Sequence, residues 1–354
     1  MSKRTSISLF TGAGGMDIGV SKAGFDILWA NDVDADACET YQKNHDAPIV
    51  EGDLNDFVND LSNFKDIDLI FGGPPCQGFS VAGKMNPEDE RSKLIYTFMD
   101  VVDRVKPTAF IMENVKALAS LDKWKPVRNK LFKKARDSGY NFTEIALLNA
   151  TDYGVPQKRE RMFFIGIKNT KKIHKSLKGF RQYLDQYKKK AAPVEEIFME
   201  LGPAGSKQNQ STCNAKITLA KSPVLRKSPY AGMLFNGGGR PINVKQYSNT
   251  LPASMGGNRT PIVDEKELFS NESNWVKTYH EILQNEGNPQ DVTVPDRLRR
   301  ITLEEAAAIQ TFPESYKFCG SQNSTYSQIG NAVPCELAYA VGGALRDALD
   351  EEGL

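Results

Sequence analysis

Metal-binding and cross-linking residues are scarce in this chain of 354 residues. Its five cysteines, Cys38, Cys76, Cys213, Cys319 and Cys335, are scattered, no two form a CxxC pair, and there are only three histidines. Such usage argues against a disulfide framework and against a zinc site, so no metal is expected. It suits a reducing, cytoplasmic setting. Long apolar runs are missing as well. Nothing in the sequence could span a membrane, and Met1-Ser2-Lys3-Arg4-Thr5 leads into a strand-like segment without the apolar stretch of a signal peptide. No membrane partner is expected.

Charge of one sign is absent from a long window. Between Glu200 and Asp264 there is no acidic residue, while Lys207, Lys216, Lys221, Arg226, Lys227, Arg240, Lys245 and Arg259 all fall there. Just before it, Lys168 to Lys190 holds nine Lys or Arg against the single acid Asp185. A solvated face is one reading of such runs. A surface that meets a polyanion is the other, because Lys and Arg displace counterions from phosphates. The overall charge of +1 conceals this asymmetry.

Turning to what is present, one cysteine has an unusual setting. Cys76 stands in Gly72-Gly73-Pro74-Pro75-Cys76-Gln77-Gly78-Phe79-Ser80, directly after the apolar run Asp68-Leu69-Ile70-Phe71. The run reads as a buried parallel strand, and the two prolines end it and fix the backbone ahead of the thiol. A thiol at the carboxyl end of such a strand sits where open α/β sheets bind ligands. It is placed as a nucleophile would be; the competing reading is a small core residue.

Strand-like and helix-like segments alternate through about residue 170. Ile7–Phe10, Asp26–Ala30, Asp66–Phe71, Thr108–Met112, Ile145–Leu148 and Met162–Ile167 read as strands. Helices are expected from Met16 to Ala23, Asp36 to Asn44 and Trp124 to Asp137, and across Leu94, Ile95, Phe98, Val101, Val102 and Val105. The fold class is therefore α/β, a doubly wound, mostly parallel sheet. From about 185 to 296 the chain is rich in Gly, Pro, Asn, Ser and Thr with no clear period, and reads as irregular. Thr302 and Glu305 form a capping box, and Pro334 opens a last helix whose apolar face should pack on the first domain.

Between strand one and helix one lies Phe10-Thr11-Gly12-Ala13-Gly14-Gly15-Met16-Asp17-Ile18-Gly19. Glycines there let a ligand approach the backbone. Asp17 breaks the dinucleotide fingerprint, and no Walker A lysine is present, which disfavours NAD and ATP. Asp32, about twenty residues on, is where a carboxylate would meet ribose hydroxyls. Asp53 could accept from an adenine amino group; the competing reading makes both aspartates helix caps. Phe10, Gly12, Gly14, Gly15, Asp32, Asp53 and Pro75 are the candidate cofactor residues, and S-adenosylmethionine is the expected cofactor.

Glu113, in Glu113-Asn114-Val115, follows the strand Thr108–Met112 and so ends at the same sheet edge as Cys76. Gln157-Lys158-Arg159-Glu160-Arg161 leads into the strand Met162–Ile167, and if extended it puts Gln157, Arg159 and Arg161 on one face. The competing readings are a cap for Glu113 and a structural ion pair for Arg161. The polar segment Val81–Ser92 is expected to be a mobile loop that closes over a ligand.

Together, Phe10–Gly19, GPPCQGFS at Gly73–Ser80, Glu113–Val115, QKRER at Gln157–Arg161, Arg299–Pro313 and QIGNAVP at Gln328–Pro334 resemble the cytosine-5 DNA methyltransferases, in that family's order. The resemblance implies a bacterial restriction-modification enzyme that acts on double-stranded DNA as a monomer beside a cognate endonuclease. It implies that Cys76 is the nucleophile, that Glu113 engages ring nitrogen 3 of cytosine, that Arg161 and Arg159 hold the base, and that Asn331 reaches the cofactor. It divides the chain into a catalytic part over 1–184, a target-recognition region over 185–321 and a returning segment over 322–354. Thr250-Leu251 followed by Gly256-Gly257 resembles that region's doublet and turn. Gln77, Ser80, Arg91, Arg240, Thr250 and Arg259 are the candidate DNA contacts. A tRNA-methylating relative and a catalytically silent DNA-binding relative are the alternatives; the basic insertion argues against the first, and Cys76, Glu113 and Arg161 against the second.

Overall fold

The computed structural model describes residues 4–75 and 90–354, and of 90–92 the backbone alone. From the N-terminus the strands are β1 (Arg4–Leu9), β2 (Phe25–Asp32), β3 (Ile49–Glu51), β4 (Leu69–Gly72), β5 (Ala109–Val115), β6 (Phe142–Asn149), β7 (Gln157–Lys158) and β8 (Glu160–Ile167). All of these but β7 form one sheet in the order β3-β2-β1-β4-β5-β8-β6. Helices α1 (Gly15–Lys22), α2 (Ala35–Asn44), α3 (Leu54–Phe57), α4 (Glu90–Val105), α5 (Lys116–Ser120) and α6 (Lys125–Asp137) fall between the strands in sequence.

The sheet is mostly parallel, as expected; β8 alone runs antiparallel to its neighbours β5 and β6. Residues 150–159 between β6 and β8 are too few for the helical crossover that a parallel neighbour requires. Leu69, Ile70 and Phe71 of β4 are fully buried, as befits a strand covered on both faces. On α4 the buried residues Ile95, Phe98, Val101 and Val102 keep helical spacing, and Phe98 meets Phe110 of β5 edge to face. The expected loop Val81–Ser92 needs one correction. Its last residues, Glu90–Ser92, already have helical backbone, while Val81–Asp89 lie outside the described residues.

The chain forms two compact units: residues 1–154, 159–190 and 332–354, and residues 155–158 and 191–331. In the first, the helix Cys335–Glu352 packs on α1, with Pro334 as its N-cap residue. The approach is close enough that a Cβ on Gly19 would stand 2.4 Å from the backbone nitrogen of Tyr339. Only glycine allows that approach.

The second unit is less irregular than its composition suggests. It holds the helices Val194–Leu201 and Trp275–Gln284 and two antiparallel strand pairs, β9 (Leu219–Val224) with β10 (Met233–Phe235), and β12 (Ile262–Asp264) with β13 (Leu298–Arg300). Between these pairs, β11 (Ser248–Asn249) runs parallel to β7. One apolar cluster gathers Val194, Phe198, Val244, Ile301, Ile309 and Tyr326, and another Leu234, Phe235, Val276 and Tyr279. The capping box forms as read: Thr302 accepts from the Glu305 amide at 3.0 Å and the Glu305 carboxylate accepts from the Thr302 amide at 2.9 Å.

Candidate active site

The turn after β1 is built by backbone that side chains avoid. Phe10, Gly12 and Gly14 have φ of 54°, 56° and 77°. Among the described residues, a Cβ on Gly12 would meet nothing within 4 Å, so none of them covers this turn there. Asp32, at the end of β2, holds the turn in place. Its carboxylate accepts from the Gly12 amide at 2.7 Å and from the Asp34 amide at 2.9 Å. Burial pushes the Asp32 carboxyl above the usual range, against the pull of these amides. Asn31, buried, donates to the carbonyls of Val50 and Gly52 at 2.8 and 2.9 Å and so fixes the turn that bears Asp53.

The two aspartates part company on capping. Asp53 is the N-cap of α3, accepting from the Asn55 amide at 2.9 Å, whereas the cap of α2 is Asp34 and not Asp32. Asp17 has a place that spacing alone does not reveal. It is fully buried in α1, accepts from the Tyr41 hydroxyl at 3.2 Å, and is pushed by burial up to about 7. Its Oδ2 has no hydrogen-bond partner among the described residues.

At the same edge of the sheet, β5 and β8 bring an acid and a guanidinium together. Glu113 lies opposite Phe163 and Val115 opposite Arg161, so Glu113 and Arg161 are diagonal neighbours. Their side chains meet at 2.9 Å, Arg161 Nε to Glu113 Oε1, with 14% and 12% of their surface exposed. Burial raises the Glu113 carboxyl above the ordinary range; Arg161 and Arg159 oppose the shift without cancelling it. Arg159 is buried and donates to the carbonyl of Ala332 at 3.0 Å, in the segment that returns to this unit.

Asn114 links this edge to β4. Its amide donates to the Pro74 carbonyl at 3.2 Å and its oxygen accepts from the Val115 amide at 2.9 Å. A Cβ on Gly73 would come within 3.0 Å of Glu113 Oε2. The chain that leads to Pro75 is therefore fitted against Glu113 and Asn114. Cys76, Gln77 and Ser80 lie outside the described residues, as does the side chain of Arg91.

Comparison with known proteins bears on the family and the fold. The profile of the C-5 cytosine-specific DNA methylase family matches residues 4–347. The chain belongs to that family. Type II methyltransferase M.FnuDI of Fusobacterium nucleatum is 30% identical over 98% of this chain and 95% of its own length. Type II methyltransferase M.Sau96I of Staphylococcus aureus is 32% identical over 97% of this chain and 75% of its own. Among solved structures, a prophage-encoded DNA modification methyltransferase of E. coli shares the fold with a TM-score of 0.67 at 22% identity, covering 98% of this chain and 100% of its own. The S. pombe Dnmt2 methyltransferase does so with a TM-score of 0.64 at 18% identity, covering 99% and 100%. The methylase is thus a DNA cytosine-5 methyltransferase of the Type II restriction-modification kind, and family and fold imply a methyl donor.

Gln157, Arg159 and Arg161 keep the alternation of an extended lead-in: the first two are buried and Arg161 half-buried, while Lys158 and Glu160 between them are exposed. The lead-in is nevertheless divided between the two units. Gln157 and Lys158 form β7 in the second unit, and the chain passes to the first unit at Arg159. The Gln157 amide is buried against Leu251 and Gln310 of its own unit. Arg240, Thr250 and Arg259 are exposed in the second unit, as is Asn331, at the end of the helix Gln322–Asn331. No helix among the described residues is long and apolar enough to cross a membrane.

Proposed function

We propose that the methylase transfers a methyl group from S-adenosylmethionine to carbon 5 of a cytosine flipped out of double-stranded DNA, through a covalent adduct with Cys76. The observation that carries this reading is the Glu113–Arg161 pair at 2.9 Å, beside the Asn114 tie to Pro74. In this assignment Cys76 adds to carbon 6, forming a C–S bond and moving electron density onto carbon 5. Burial favours the neutral form of the Glu113 carboxyl, which is assigned to share a proton with ring nitrogen 3, where charge builds up, and Arg161 fixes the orientation of that carboxyl. When bound, S-adenosylmethionine supplies an electrophilic methyl group on a sulfonium. Loss of the proton from carbon 5 to a base then lets the C–S bond break, and Cys76 leaves as a thiolate.

The turn at Gly12, which none of the described residues covers, and the Asp32 carboxyl fit an adenosine-containing donor. Phe10, Gly14, Gly15, Asp53, Pro75 and Asn331 complete the proposed cofactor set. Target recognition is assigned to the second unit, whose acid-free window exposes all of its basic residues, Arg240 and Arg259 among them. Thr250, Gln77, Ser80 and Arg91 join these as proposed DNA contacts. A cognate endonuclease would cut the same site when it is unmodified.

Methylation of mixed genomic DNA, followed by base-resolution mapping of 5-methylcytosine, tests the proposal. Methylation confined to one short sequence is expected, with no methyl transfer to tRNA. Label in tRNA but none in DNA would refute it.

A further inference from the structure

A buried side-chain relay in the second unit takes no part in the chemistry above. Gln157 and Gln310 are both fully buried. The Leu251 amide donates to Gln157 Oε1 at 2.9 Å, Gln157 Nε2 donates to Gln310 Oε1 at 2.8 Å, and Gln310 Nε2 donates to the Ile329 carbonyl at 2.6 Å. A backbone donor stands at one end and a backbone acceptor at the other. Each amide can therefore point only one way, and neither glutamine can be reversed without opposing two like groups.

The relay meets the backbone at two places, the Leu251 amide and the Ile329 carbonyl. Leu251 follows Thr250, whose hydroxyl donates to the Lys158 carbonyl at 2.7 Å. The pairing of β7 with β11 sets Gln157 beside Ser248 and Lys158 beside Asn249. Ile329 precedes Gly330, where a Cβ would stand 2.3 Å from the carbonyl oxygen of Pro252. One end of the relay thus lies on the stretch Thr250–Pro252, and the other lies on the residue before Gly330, which packs against Pro252. Lys158 is followed directly by Arg159.

We propose that the Gln157–Gln310 pair is a positioning device that fixes the backbone at Thr250–Leu251 for sequence discrimination in DNA. This rests on the reading of the second unit as the target-recognition part. Gln157 and Gln310 touch neither the base nor the donor. They act through the segment they hold. A purely structural pair would lower stability without touching discrimination.

The test uses the full-length chain with Gln157→Met, and with Gln310→Met, which leaves the Gln157–Leu251 bond in place. Hydrogen exchange at the Leu251 amide is read first, without DNA. Next come kcat/KM on the mapped duplex against duplexes with one changed base pair, and the affinity for S-adenosylmethionine. Gln157→Met should speed Leu251 exchange about tenfold, the usual effect of breaking one buried hydrogen bond. It should narrow discrimination by a similar factor and leave donor affinity within about twofold. Gln310→Met should act in the same direction and more weakly, and it decides the matter if Gln157→Met does not fold. Unchanged Leu251 exchange would overturn the proposal. So would faster exchange with discrimination intact, or donor affinity and discrimination falling together. A parent chain that methylates no DNA would instead contradict the functional reading, and the exchange measurement would still decide whether the relay holds Leu251.

Discussion

Two forces act on the Glu113 carboxyl. Burial favours its neutral form and the adjacent guanidinium favours its charged form, and burial wins. A carboxyl that keeps its proton can donate to ring nitrogen 3, which an amide can only imitate weakly. Glu113→Gln should therefore cut single-turnover methyl transfer by at least about a hundredfold, the scale expected when a general acid is removed, with donor affinity little changed. Asp17 offers an independent test at the same scale. Its native carboxyl titrates near 7, against an ordinary value of 3.8. Between those values the native state keeps a proton the unfolded chain has released, so stability falls as pH rises through that window. About three pKa units correspond to about 4 kcal/mol. Asp17→Asn removes the proton linkage, so its melting temperature should fall less than the parent's between pH 5 and 8, and parallel curves would refute the assignment. Tyr41, Ser8 and the nearby Asp32 face this carboxyl and set its environment. Sequence spacing singled out Glu113 and Arg161 because strand ends are legible. It could not find the Asn114 tie, since nothing local signals a side chain that reaches a carbonyl forty residues back.

At the scale of elements, apolar runs located the strands of the sheet, because strands buried on both faces are apolar throughout. The direction of β8 was not legible, as an apolar run has no polarity. The helix Trp275–Gln284 did carry a signal: Val276, Tyr279, His280 and Leu283 have helical spacing and are buried. Its flanks, Asn271–Asn274 and Asn285–Pro289, read as loop and hid it. The split at Lys158 was also hidden, because a strand of two residues has no period to read. The packing of α1 on the helix Cys335–Glu352 was expected from an apolar face, but its closeness depends on Gly19. Gly19→Ala should lower the melting temperature by several degrees, since overpacking typically costs about 1–3 kcal/mol. Calorimetry of the variant against the parent checks this.

At the scale of the whole molecule, charge asymmetry is the feature that most directly concerns DNA. The eight basic residues between Glu200 and Asp264 are all exposed, so they remain available to a polyanion rather than being used up in a core. Changing Lys221, Arg226 and Lys227 to Gln should weaken DNA binding at low salt. It should also reduce the slope of log affinity against log salt by about 0.9 for each phosphate that the variant no longer neutralises. An unchanged slope would place the duplex elsewhere.

The central claim concerns one thiol, and one measurement addresses it. The protein is incubated with S-adenosylmethionine and a duplex carrying 5-fluorocytosine at the target position, then run on a denaturing gel. Fluorine at carbon 5 cannot leave as a proton does, so the C–S bond cannot be broken by elimination. The parent chain should give a covalent protein–DNA band, and Cys76→Ala should give none. A band that persists in Cys76→Ala, or no band from a parent chain that methylates ordinary DNA, would contradict the account.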